Sequence, residues 1–147
     1  MASQLAVGSI AFYGLTPSIN FFEQSGVDPT EQDPKDDREI NVLLSECGDI
    51  RHILKTLSDI LPLSKGPRKH PLNIYIHDRQ LENLGRALVF LTLICEVSFA
   101  KRERMELFLD LYGNCLVREK SNAYLQSIVN ELIQLVTEDD RCQSVLK

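Results

Sequence analysis

The chain has 147 residues, 44% of them hydrophobic and 25% charged, with a formal net charge of −5. This is the size and balance of one ordinary globular domain with enough apolar material for a core. An acidic chain is a poor partner for nucleic acid, because phosphate neutralisation needs clustered Lys and Arg.

The one basic cluster, Lys65, Arg68, Lys69 and His70, sits among Gly66, Pro67 and Pro71 and reads as a solvated turn. The first Lys or Arg is Lys35, so the basic start of a secretory signal is missing. The longest apolar stretch, Ala87–Cys95, is broken only by Thr92 and reaches about half of the ~20 residues that a membrane-spanning helix needs. A soluble, intracellular protein is expected.

Residues 1–25 form an apolar, glycine-bearing lead with the cluster Phe12-Tyr13-Gly14-Leu15-Thr16-Pro17. Two aromatics beside a Gly-x-x-Pro turn suggest an anchor packed onto the domain, and Asn20-Phe21-Phe22 extends it. Residues 26–39 carry Asp28-Pro29, Asp33-Pro34 and Asp36-Asp37 with few apolar residues, the composition of an acidic loop or linker. The remaining 40–147 read as a partial α/β domain.

A near-continuous apolar run, Ile40–Leu44, predicts a strand covered on both faces, as in a parallel sheet. After the turn Ser45-Glu46-Cys47-Gly48-Asp49, the pattern Ile50, Ile53, Leu54, Leu57 predicts an amphipathic helix to about Ile60, capped by Asp49 and ended near Pro62. Beyond the Lys65–Pro71 turn, Leu72–Ile76 reads as a second strand, parallel to the first. Asp78 could cap a helix over about Leu81–Val97, apolar almost all round and hence buried, with Cys95 in the core. A third helix runs over about Ala100–Tyr112 with Gly113 as its stop, and a fourth starts at Ser121 as its cap. Two parallel strands alone would leave long apolar edges unpaired. That points to the opening, incomplete portion of a larger α/β domain with about four helices here.

Three residues sketch a cofactor site of the Rossmann-like, methyltransferase-like kind. Gly48 lies where such folds place a glycine-rich loop, Asp49 follows it, and Asp78 lies just past the second strand, where an acidic residue often binds ribose hydroxyls. The ligand would be S-adenosylmethionine. Only Gly48 is glycine in a loop whose G-x-G-x-x-G form has three, and Glu46 is ill suited to an anionic ligand. In the plainer reading Gly48 makes the turn while Asp49 and Asp78 cap helices, and no cofactor binds.

His52 has the chemistry of a general base near neutral pH, but no Ser or Cys nucleophile with an orienting carboxylate accompanies it. A local capping pair with Asp49 is the expected role. Cys47, Cys95, Cys115 and Cys142 are widely spaced and read as reduced thiols. Neither Cys47 with His52 nor His70 with His77 has the close paired spacing of a zinc site.

Three blocks resemble the dynein axonemal assembly factor 3 family. Phe12-Tyr13-Gly14-Leu15-Thr16-Pro17 is similar to the family's aromatic-aromatic-Gly-Leu-Ser-Pro opening. Glu39–Leu57 resembles its strand and following helix, with Asp49, Arg51, His52, Leu54, Lys55, Thr56 and Leu57 at matching places. Leu72–Ile76, Leu81–Leu93 and Glu106–Leu116 resemble its second strand, long helix and E-x-F-L-E-V-W-G-N-x-L segment. The resemblance implies the N-terminal portion of a longer cytoplasmic factor that preassembles inner and outer axonemal dynein arms for motile cilia. It implies axonemal dynein chains, chaperones and other assembly factors as partners, no enzymatic activity, and a methyltransferase-like fold turned to scaffolding.

Overall fold

A computed structural model describes residues 12–26, 39–60 and 71–137. Residues 27–38 of the acidic 26–39 linker, the Pro62 stop, the basic cluster with His70, and Cys142 lie outside the described residues. The elements are α1 (Phe21–Ser25), β1 (Ile40–Ser45), α2 (Arg51–Ile60), β2 (Leu72–His77), α3 (Leu81–Cys95), α4 (Lys101–Gly113) and α5 (Glu119–Thr137). The chain divides into two compact units, Met1–Ala87 and Leu88–Lys147, with the division inside α3.

In the first unit β1 and β2 run parallel, in register from Ile40 opposite Leu72 to Ser45 opposite His77. Two outer rungs extend the ladder: Ile40 N–H donates to Pro71 O at 2.9 Å, and Glu46 N–H to His77 O at 2.9 Å. Period-two alternation then sorts the side chains. Ile40 and Leu44 face inward and are buried, while Leu43 is 67% exposed and its neighbour Tyr75 59% exposed. The expected cover on both faces is therefore not found among the described residues. One face is packed and the other carries Leu43, Tyr75 and an Asn73–Asn41 side-chain hydrogen bond of 3.0 Å. An apolar run reveals that a strand is hydrophobic, not whether a second layer lies over it.

Phe22, Ile40 and Ile60 form the buried cluster beneath the sheet, with Val42 and Leu72 packed against it. Phe22 comes from α1, a short helix that the sequence reading took only as an extension of the lead. Asn20 is its N-cap, its Oδ1 accepting from Phe22 N–H at 3.0 Å, and Gly26 closes it at φ 67° in the left-handed region that favours glycine.

Helix α3 begins at Leu81 as expected but is not buried all round. Asn83, Ala87, Val89, Phe90 and Leu93 are buried, whereas Leu81, Leu88 and Cys95 are exposed. In the second unit Phe90 meets Phe108 and Tyr112 at ring-centroid distances of 5.0 and 5.6 Å. Leu107 of α4 and Ile128 of α5 are buried. Ser121 is not the cap of α5: that helix starts two residues earlier, at Glu119, and Ser121 lies buried inside its first turn. The end of α4 is tied to the start of α5 through the Asp110 carboxylate, which accepts from the Asn114 amide and from Arg118 Nε at 3.2 Å.

Candidate functional site

The turn between β1 and α2 bends through two residues of positive φ, Glu46 at 52° and Gly48 at 73°. Gly48 meets this requirement without steric cost; Glu46 is a non-glycine residue in the same region. The turn ends on Asp49, whose Oδ1 accepts from Arg51 N–H at 3.1 Å and so starts α2. Asp78 acts likewise after β2, its Oδ1 accepting from Gln80 N–H at 2.9 Å and its Oδ2 from the Asn83 amide at 3.0 Å. Both aspartates order the turn just ahead of the helix that the sequence expected them to cap, Asp49 accepting from the first residue of α2 and Asp78 from Gln80, one residue before α3.

A cleft lies between these two turns. Leu44, Gly48, Asp49, Ile53, Asp78 and Asn83 are among its lining residues, and its volume is about 20 Å³. Gly48, Asp49 and Asp78, the three candidates for cofactor binding, are thus brought to one place. The cavity has space for a water molecule or two, far less than an adenosyl group fills, and Asp78 already engages both oxygens within the chain. In this geometry the residues do not fit S-adenosylmethionine. Cys47 also lines the cleft; burial pushes its thiol up, Arg51 opposes that, and Asp49 and Asp78 add to it. Among the described residues no group of three or more His, Cys, Asp and Glu could hold a metal ion.

The densest polar arrangement lies beside the cleft, where α2 holds the lead segment. Asp49 Oδ2 accepts from Gly14 N–H at 2.8 Å. Arg51 donates from Nε to Thr16 O at 2.9 Å, from Nη2 to Thr16 Oγ1 at 2.6 Å, and from Nη1 to Cys47 O at 3.0 Å and to Asp49 Oδ1 at 2.7 Å. His52 Nδ1 accepts from Ile19 N–H at 3.1 Å. Thr56 Oγ1 accepts from Phe21 N–H at 3.0 Å and donates to His52 O at 2.8 Å. Asp59 Oδ2 accepts from the Asn20 amide at 3.0 Å. The spacing along α2 brings 52, 56 and 59 to one side of the helix, and the lead runs along that side with the N–H groups of Ile19 and Phe21 satisfied there.

This arrangement corrects the expected Asp49–His52 pair. Asp49 is engaged by Gly14 and Arg51, and His52 by Ile19. Burial alone would raise the Asp49 carboxyl, but the Gly14 N–H and Arg51 hold it below the usual carboxylate range. Burial, with Arg51 adding to it and Asp49 opposing, pushes His52 down. A buried imidazole whose Nδ1 accepts a backbone N–H is held neutral, with that nitrogen unavailable as a base.

The aromatic pair of the lead is held by Arg86 on α3. Its guanidinium lies 5.4 Å from the Phe12 ring centre and 4.7 Å from that of Tyr13, and Nη1 donates to Phe12 O at 2.9 Å. Sequence reasoning passed over Arg86 and gave Thr56 and Asn20 no role beyond a matching position and an extension of the lead, since a single cation, hydroxyl or amide carries no motif. The signal that could have found Asn20 is local: an Asn directly before Phe21-Phe22 is a good N-cap.

Comparison with known proteins adds the relatives. Residues 12–117 match a family described as "Domain of unknown function (DUF4470)". The chain is 32% identical to "Dynein axonemal assembly factor 3" of Rattus norvegicus over 95% of its own length and 24% of that relative. It is 41% identical to the Xenopus tropicalis protein of the same name over 72% of its length and 23% of the relative. It is 32% identical to "Dynein axonemal assembly factor 3 homolog" of Drosophila melanogaster, over 71% and 19%. The chain thus spans about a quarter or less of the length of these curated relatives. No solved structure matches it. The Phe12–Pro17 lead and the Asp49–Leu57 helix, which carry the resemblance in the sequence, fall inside the matched region and are joined in space, and the chain belongs to the dynein axonemal assembly factor 3 family.

Proposed function

We propose that this chain acts in the assembly of axonemal dynein arms, as a non-catalytic scaffold in the cytoplasm that works with dynein chains, chaperones and other assembly factors on inner and outer arms. The names of its relatives support the assembly role. One observation supports scaffold over enzyme: the residues with chemistry to offer, Asp49, Arg51, His52 and Asp78, are engaged in hydrogen bonds that hold the lead segment and start helices. The test uses ciliated cells lacking the full-length protein, with axonemal dynein arms counted in cross-section. Loss of both arm types, restored by re-expression, is expected; complete arms in those cells would end the proposal.

A second reading rests on the cleft. Its place at the carboxyl ends of two parallel strands, lined by Gly48, Asp49 and Asp78, is where Rossmann-like folds bind ligands. The fold would then be a methyltransferase-like one, with its S-adenosylmethionine site closed to water size. Thermal unfolding with excess S-adenosylmethionine separates the readings. A ligand bound only by the folded chain at 100 times its dissociation constant adds about 2.7 kcal/mol. An unchanged midpoint is expected. A saturable rise that disappears in Asp78→Ala would establish the cleft as a cofactor site.

A further inference from the structure

We propose that Thr16 is a phosphorylation site, and that its phosphate is received by Arg51. The inference stands apart from the assembly role. Thr16 is followed directly by Pro17, the acceptor pattern of proline-directed Ser/Thr kinases. Proline also biases the residue before it toward extended backbone, the form in which a peptide lies in a kinase cleft. Thr16 lies on irregular backbone between Phe12 and Asn20, and Leu15, Thr16, Pro17 and Ser18 are all exposed.

The receiving group is already in place. Arg51 presents Nε to Thr16 O and Nη2 to Thr16 Oγ1, so one two-donor edge of its planar guanidinium faces the acceptor residue. That edge has the fork geometry that binds phosphate oxygens in a bidentate manner. Nη1 is turned away, to Cys47 O and Asp49 Oδ1, so the Asp49 carboxylate is met by the opposite side of the same cation. A phosphate added to Thr16 exchanges a neutral hydroxyl acceptor for a group of charge about −1.5 to −2 with three strong acceptor oxygens. The consequence is a tighter hold of the lead segment on α2.

The reaction is an ordinary phosphoryl transfer from a nucleoside triphosphate. The Thr16 oxygen forms a bond to the γ-phosphorus, and the bond from that phosphorus to the β,γ-bridging oxygen breaks. The nucleoside diphosphate leaves, and the hydroxyl proton passes to the kinase's base.

The test treats the whole chain with a purified cyclin-dependent kinase and Mg-ATP, locates phosphate by mass spectrometry, and follows the phosphothreonine by ³¹P resonance as pH is varied. Incorporation at Thr16, absent in Thr16→Ala, is expected, with a second phosphate pKa below the ordinary value of about 6 and a raised unfolding midpoint. Arg51→Lys keeps the charge but not the fork and should return the pKa towards the ordinary value. The ³¹P titration of the unmutated chain decides the matter even if that variant is poorly folded. A chain that takes no phosphate at Thr16 while a peptide spanning 12–20 is modified would overturn the proposal. So would a phosphate that titrates at about 6 or lowers the midpoint.

Discussion

Gly14 and Arg51 lie so close that a β-carbon at position 14 would collide with the guanidinium, striking Nη1, Cζ and Nη2. The Gly14 N–H meanwhile donates to Asp49 Oδ2 at 2.8 Å. Glycine is required here by close approach, not by an unusual φ. An arginine end can ordinarily swing aside at little cost, but this one holds Thr16, Cys47 and Asp49 together.

Gly14→Ala should therefore displace Arg51 and destabilise the folded chain by about 1–3 kcal/mol, the cost of leaving several polar groups short of partners. Denaturant unfolding measures it. Gly85→Ala, where a β-carbon meets nothing within 4 Å, is the matched control and should be neutral or slightly stabilising because it lies in a helix. Equal effects at the two positions would contradict the contact.

Thr56 is fully buried and joins two elements through one hydroxyl, accepting from Phe21 N–H and donating to His52 O. Thr56→Val preserves the shape but orphans the Phe21 N–H in the interior, at about 1–3 kcal/mol. Thr56→Ser keeps both hydrogen bonds and loses a methyl, which should cost about 1 kcal/mol. The ordering Val worse than Ser, read from urea midpoints, identifies the hydroxyl rather than the packing as the important part.

His52 gives the chain a pH dependence near neutrality. Its folded pKa is lowered by burial, so between that value and the unfolded value of about 6.5 the unfolded state binds more protons. Its contribution is present above the unfolded pKa and is lost as pH falls through 6.5 toward the folded one. Protonation also puts a hydrogen on Nδ1, where it faces the Ile19 N–H. Unfolding midpoints from pH 8 to pH 5 should fall on acidification. His52→Asn retains an acceptor near the Nδ1 position without the titration and should flatten that slope.

Asp110 acts at more acid pH. The Ser121 hydroxyl, Asn114 and Arg118 outweigh its burial and hold its carboxyl at about 2. Its folded pKa is depressed, so its stabilising effect is complete above the unfolded value of about 4 and is lost as pH falls from there to about 2. Asp110→Asn should remove that part of the acid transition while leaving the His52 slope between pH 8 and pH 5 unchanged.

Much of the fold was legible before any coordinates. Ile40–Leu44 and Leu72–Ile76 lie within the observed strands and fall short of their ends by one residue each. Asp49 and Asp78 stand at the helix starts, because a carboxylate that accepts an N–H two residues on acts locally. The same local signal marked Gly48 as the turn. What misled was uniform hydrophobicity. Leu43, Leu88 and Cys95 read as core, yet all three are exposed, since an apolar run on a strand or helix does not say which side a neighbouring layer covers. Ser121 read as a cap by residue type, and its burial inside α5 depends on packing that the local sequence does not encode.

The sequence by itself determined the two strands and the four longer helices, the parallel α/β character and the family, because hydrophobic period, turn chemistry and ordered blocks of matching residues act over short stretches. Only the tertiary structure decided what the charged residues do. Asp49 meets Gly14 across 35 residues and Arg86 meets Phe12 across 74, separations at which no local pattern operates. Those pairings exist because the lead segment's backbone groups, once brought against the helices in a partly dry interface, must find partners there: the Gly14 N–H an acceptor in Asp49, the Phe12 carbonyl a donor in Arg86. Asp49 and His52, which looked like chemistry in the sequence, are in the folded chain partners of that returning segment, alongside Arg51.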